Sequence, residues 1–282
     1  MIGRVCAITG ASSGIGFETA LELARMGATV AMLCRSSERG EAARERIVQR
    51  SANADVHVVR CDHADLESVR AAAVDLQRRF DALHVLVNNA GLMLSQREIT
   101  IDGVEHTFQV NHLSAFLLTE LLRERLQRSA PSRIVTVSSL AHTGARLDFS
   151  DLQLEYGYNG WDAYARSKLA NVLFTYELAR RLQGSGVTAN ALHPGLVRSG
   201  FGRNNGLAMR ALMTAIQLPP LAASARRGAR TQIYLASAPE VERSSGRYFA
   251  SCRERRSSAL SYDVEAQQRL WEASEGLIAQ TV

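Results

Sequence analysis

The 282-residue chain is 46% apolar and 22% charged, a balance that fits a soluble globular protein with room for one large α/β domain over residues 1–282. Its net charge of +5 comes from arginines interleaved with acidic residues, as in "ERGEAARERI" and "LLRERLQR", which read as solvated helix faces and predict no nucleic-acid partner. No run of about 18 apolar residues occurs, and "MIGRVCAITG" lacks a signal-peptide core, so the sequence predicts no membrane span and a cytoplasmic chain.

Taken in order, "RVCAITG" (4–10) predicts a buried strand and "GIGFETALELARMG" (14–27) a helix with Phe17, Leu21 and Ala24 on one face. Strand "ATVAMLC" (28–34), a helix from "SERGEAARERIVQRS", strand "DVHVVRC" (55–61) and helix 64–80 follow. Strand "LHVLVNNAG" (83–91) leads to a long helical stretch at roughly 102–128. Then come strand "SRIVTVSS" (132–139), a long helix from "WDAYARSKLAN" onward, and strand "VTANALHPG" (187–195). Strands separated by helices of this length require crossover connections. The predicted fold is therefore a Rossmann-type, doubly wound parallel sheet of about seven strands, in three α/β/α layers. Two stretches break the rhythm, near 140–160 and 196–220, and are expected to form substrate-pocket loops. Cys6, Cys34, Cys61 and Cys252 show no metal spacing, so no metal site is predicted.

"TGASSGIG" (9–16) joins the first strand to the first helix. A dinucleotide pyrophosphate needs backbone N–H groups, a helix N-terminus and no obstructing side chain. Gly10, Ser12, Ser13, Gly14, Ile15 and Gly16 are the candidate contacts. At the end of the second strand, a carboxylate would bind a ribose 2′-hydroxyl. The sequence there is "LCRSSER", and Arg35 instead suits a 2′-phosphate. NADP(H) is therefore favoured over NAD(H).

The chain has one lysine, Lys168, among 33 basic residues, and it lies four positions after Tyr164. On a helix the two share a face. A free phenol, with a pKa near ~10, is a poor base at neutral pH. A nearby ammonium is expected to lower that value and make Tyr164 a general acid/base. Ser138 is expected to be structural, since neighbouring strand residues face opposite ways. His112 and His193 are expected to be satisfied core or loop histidines rather than acids.

These segments, together with "CDHADL", "NNAG", "VNHLSAF", "VTVSS", "YARSK" and "HPGLVRS" in that order, resemble the short-chain dehydrogenase/reductase family over nearly the whole chain. "RIVTVSSLAH", "SKLANVLFTYELARRL" and "DVEAQQRLWEASEGL" are most similar to its retinol-dehydrogenase-like, NADP-linked group. The resemblance implies that Tyr164 is the general acid/base, that Lys168 tunes it and binds the nicotinamide ribose, and that Ser139 bonds the substrate carbonyl. It implies that Asn111 holds a water leading to Lys168. Asn89, Ala90 and Gly91 would flank the cofactor, Asp62 and His63 would meet the adenine (His63 through its backbone), Pro194, Gly195 and Val197 the nicotinamide amide, and Ser199 the phosphates. The implied activity is hydride transfer between NADP(H) and a small hydrophobic carbonyl or alcohol. The alternatives are a dinucleotide-binding protein without turnover and an epimerase or dehydratase. Broad apolar faces on the helices at 102–128 and 161–184 allow a homodimer.

Overall fold

The structure, a computed structural model, describes residues 1–197 and 223–281. Its first half is a regular strand–helix alternation: β1 (Val5–Thr9), α1 (Gly14–Arg25), β2 (Thr29–Cys34), α2 (Ser37–Ser51), β3 (Val56–Arg60), α3 (Leu66–Arg79) and β4 (Val85–Asn88). Side-chain caps set the starts of several helices. Ser36 accepts from Arg39 N, and Asp65 accepts from Ser68 N. The predicted helix at 102–128 resolves into α4 (His106–Phe108), a π turn over Gln109–Leu113, and α5 (Ser114–Arg128). Glu105, buried, starts it by accepting from Thr107 N and Phe108 N.

β5 (Ser132–Val137), α6 (Gly160–Arg181) and β6 (Val187–His193) follow. Beyond residue 222 lie α7 (Ala225–Ser237), β7 (Arg247–Ala250), β8 (Arg253–Arg255) and α8 (Val264–Ala279). The sheet order is β3-β2-β1-β4-β5-β6-β7-β8. Every pairing is parallel except β7 with β8. Among the described residues the sheet thus has eight strands, against the expected about seven. The addition is a three-residue antiparallel edge, reached through a tight turn in which Ser251 and Cys252 have positive φ.

Strand residues alternate between two cores. Ala7, Leu33, Leu86 and Ile134 face α3, α5 and α6, while Ile8, Met32, Val87 and Val135 face α1, α2 and α7. That alternation, with both faces apolar, is what a sheet covered on both sides demands. Strand order reverses at β1, which lies between β2 and β4. Open α/β sheets bind ligands in the crevice beyond the strand C-termini at such a reversal. Among the described residues, no helix is long and apolar enough to cross a membrane.

Candidate active site

The turn after β1 is held open by its glycines. Gly10 and Gly14 have φ of +66° and +59°, a region costly for residues with a Cβ. A Cβ on Gly16 would lie 2.5 Å from the Gly10 carbonyl oxygen and 2.6 Å from Asn89 Nδ2, so α1 approaches the strand ends closely. Ser13, the N-cap of α1, makes no side-chain cap bond, and the first turn holds no acidic residue. The first N–H groups of a helix have no intrahelical partner, and here they face the crevice at the strand reversal. The cradle fits a pyrophosphate.

A buried polar chain ties this cradle together. Thr9 Oγ1 accepts from the N–H groups of Asn89 (2.8 Å) and Ala90 (2.9 Å). Asn89 Nδ2 donates to the Thr9 carbonyl (2.8 Å). Gln232 of α7 donates to Asn89 Oδ1 (3.1 Å) and accepts from Thr19 of α1 (3.1 Å). Sequence reasoning missed Thr9, Thr19 and Gln232. Thr9 adjoins the glycine turn and could have been found. Gln232 stands 213 positions from Thr19, and no local signal points to it.

Arg35 is exposed just past the end of β2, with Arg39 in the first turn of α2 beyond it. Asp62 anchors the turn after β3, where its carboxylate accepts from Ala64 N (3.1 Å). The His63 ring points inward: Nδ1 lies 3.0 Å from Ser114 Oγ, and burial lowers its pKa to about 4. Pro194 and Gly195 follow β6, where Gly195 has φ +81°. Val197, buried, pairs with Ala223 and packs on Gly228 of α7, whose added Cβ would meet its Cγ2 at 2.6 Å. Ser199, and the expected pocket loop beyond Val197, lie outside the described residues up to 222.

Ser139, Tyr164, Lys168 and Asn111 are brought together beside the cradle. Asn159 caps α6 by accepting from Trp161 N and Asp162 N, which orients the first turns bearing Tyr164 and Lys168. The Tyr164 phenol is hydrogen-bonded to the Ser139 hydroxyl. Lys168 is 3% exposed, with Nζ 5.7 Å from the centre of the Tyr164 ring and donating to the Val137 carbonyl (3.2 Å). A Cβ on Gly91 would lie 3.1 Å from that Nζ and 3.2 Å from Asn111 Oδ1. Ser138 is structural: its hydroxyl donates to the Lys168 carbonyl (2.7 Å).

Asn111 sits in the π turn. Its Nδ2 donates to the Leu92 carbonyl and to Ser167 Oγ (2.9 Å each), and its Oδ1 accepts from Leu92 N (2.7 Å). The side chain is thus spent on protein partners. His112 is a buried core histidine bonded to Ser274 (2.9 Å). Among the described residues, no three His, Cys, Asp or Glu side chains group as metal ligands.

The expected lowering of the tyrosine pKa is not what the structure gives. Burial pushes the Tyr164 phenol up to about 12, with the Ser139 bond opposing it. Burial pushes the Lys168 ammonium down to about 8. The two groups share a helix face as the spacing predicted. The ammonium, however, is directed at a backbone carbonyl, and loss of solvent dominates at the phenol.

Strand order and the glycine turn define the class, a Rossmann-type α/β protein built to bind a dinucleotide. The family model described as short chain dehydrogenase matches residues 4–209, and the chain belongs to that family of oxidoreductases. Human retinol dehydrogenase 12 is 46% identical over 272 residues, covering 96% of this chain and 85% of that protein. Human retinol dehydrogenase 13 is 43% identical over 281 residues, covering 98% and 85%. A crystal structure of an uncharacterised protein from Mycobacterium paratuberculosis superposes with a TM-score of 0.79 at 37% identity, over 99% of this chain and 94% of that one. The Pseudomonas aeruginosa RhlG/NADP active-site complex gives 0.71 at 26% identity, over 88% and 94%.

Proposed function

We propose that the chain is an NADP(H)-dependent oxidoreductase that interconverts a hydrophobic carbonyl compound and its alcohol. The observation that supports this best is the Ser139–Tyr164 hydroxyl pair beside the dinucleotide cradle, with the Lys168 ammonium buried behind it. When bound, the nicotinamide supplies or accepts the hydride. Gly10 to Gly16 hold the pyrophosphate and Arg35 the 2′-phosphate, with Asp62 and His63 at the adenine and Asn89 to Gly91 along the ribose. Pro194, Gly195 and Val197 border the nicotinamide, and Ser199 the phosphates.

Ser139 donates to the substrate carbonyl and orients it. Tyr164, a phenol that is neutral at pH 7 and that burial raises further, gives its proton to the developing alkoxide oxygen. Lys168 stabilises the phenolate left behind and reaches the ribose hydroxyls. The hydrophobic substrate class is supported by Leu140, Tyr156, Trp161 and Leu196, large apolar side chains left exposed on the segments around the pair. The Trp161 ring stands 6.0 Å from the Tyr164 ring. The free thiols, three of them buried, support a cytoplasmic location.

The test is a panel of ketones and of short and long apolar aldehydes, followed by NADPH absorbance. Consumption of NADPH faster than of NADH, and of apolar substrates faster than polar ones, is expected. Arg35→Asp should reverse the cofactor preference by at least about tenfold, the worth of one charge-assisted phosphate contact. An unmodified chain that uses both cofactors equally would remove Arg35 from its role. Turnover without net absorbance change would mean an epimerase.

A further inference from the structure

His142 lies three residues after Ser139, in the 3-10 turn Leu140–Gly144 that Ser139 caps. It is 1% exposed, and each ring nitrogen has a backbone partner. Nε2 lies 3.1 Å from the backbone N–H of Ser258, which can only donate. Nε2 is therefore the acceptor, so a neutral ring must hold its proton on Nδ1. That nitrogen is 2.6 Å from the Ser139 carbonyl oxygen and donates to it. The Tyr248 hydroxyl of β7 lies 3.3 Å from the same nitrogen, with the two rings 4.9 Å apart.

We propose that His142 is a positioning residue for Ser139, with its tautomer dictated by the Ser258 amide. The proposal rests on Ser139 acting in turnover as described above. Ser139 immediately precedes the 3-10 turn, and short 3-10 turns are weakly held. The Nδ1–H bond gives the Ser139 carbonyl a donor beyond the His142 backbone N–H, itself 3.1 Å away, and so fixes the peptide that bears the catalytic hydroxyl. The Ser258 amide, 116 residues further along, decides which nitrogen carries the proton. The segment between β8 and α8 thereby governs the aim of a residue it does not touch. Ser258 also has φ −64°, the value a proline ring imposes, so Ser258→Pro removes the amide hydrogen without changing that torsion.

Four variants separate the possibilities, each followed by kcat with an apolar ketone and titration with NADPH, with imidazole nitrogen NMR on the unmodified chain and the variants that keep His142. An asparagine amide nitrogen falls near the position of Nδ1, and a glutamine amide near Nε2. His142→Asn keeps the donor to Ser139 and should hold most of kcat. His142→Gln keeps only the outer bond and should lose roughly three- to tenfold in kcat, the range of one neutral hydrogen bond. Ser258→Pro should show a similar loss, with the His142 signal moving from the Nδ1–H form to a mixture. NADPH affinity should stay within about twofold throughout, because the cradle is untouched. Equal kcat for the Asn and Gln variants, or an unmodified chain holding its proton on Nε2, overturns the proposal. Full activity in Ser139→Ala would instead defeat the assignment of Ser139 and leave the tautomer result standing.

Discussion

Lys168 is held charged at a cost. Its folded-state value is about 8 against an ordinary 10.5. Between those values the unfolded chain binds the proton and the folded chain does not, so stability rises with pH across that window. Below pH 8 both states are charged and the penalty is present in full. Lys168→Met should therefore raise the melting temperature at pH 7, by the equivalent of up to ~3 kcal/mol, while abolishing turnover. A melt at pH 7 and again near pH 10 checks it: the gain should shrink at the higher pH, and an equal or lower melting temperature at pH 7 contradicts the reading. Tyr164→Phe keeps the ring and loses the hydroxyl that carries the proton and bonds Ser139. Turnover should fall ~10²–10⁴-fold with NADPH titration unchanged, and near-normal kcat would remove Tyr164 from its role. The pairing of these residues was legible from a spacing of four. The direction of the tyrosine shift was not, because it depends on how deeply β5 and α6 bury both heads, and sequence spacing carries no burial.

At the level of elements, the first helix is the most constrained. Gly16 has no room for a Cβ between the Gly10 carbonyl and Asn89. Gly16→Ala should destabilise the fold by about 1–3 kcal/mol, as overpacking does, and weaken NADPH binding as α1 backs away. Denaturant melts and cofactor titration read the two effects together, and loss of neither would mean that α1 shifts freely. The six strands from β1 to β6 were legible because each is an apolar run bounded by turn residues. β8 was not: its sequence is Arg253, Glu254 and Arg255, exposed throughout, with no alternation to find. The π turn at Gln109–Leu113 was also hidden. A helix with one extra residue per turn keeps nearly the same apolar pattern, and its signature is the inward aim of Asn111 rather than any residue type.

On the scale of the whole molecule, α8 covers apolar surface that α5 and α6 would otherwise present. Trp271, 1% exposed, packs against Phe116 at 4.8 Å and Phe174 at 5.9 Å between ring centres. The Arg181 guanidinium lies 4.1 Å from the centre of the Trp271 ring, and Ser274 bonds His112. The helix faces that would allow a homodimer are thus partly filled within the chain, and a pair must use what α8 leaves open. Trp271→Ala should cost about 3–5 kcal/mol, read by chemical denaturation. Any self-association it induces would show by light scattering, and an unchanged midpoint would mean that α8 contributes little to the fold. The sheet class was legible because strands and crossovers are local patterns. This covering was not, because it joins residues far apart in the chain, Phe116 and Phe174 with Trp271 and His112 with Ser274.

The single lysine makes the molecule its own reporter. With Lys168 as the only side-chain amine, and that amine 3% exposed, the folded surface offers no lysine to an acylating reagent. Each acyl group found by mass spectrometry at Lys168 therefore records one opening of the active-site floor. Labelling should be slow in the native chain, slower still with NADP(H) present, and rapid in denaturant. Fast native labelling would show that the amine is reached from solvent, and that the site is looser than its packing indicates.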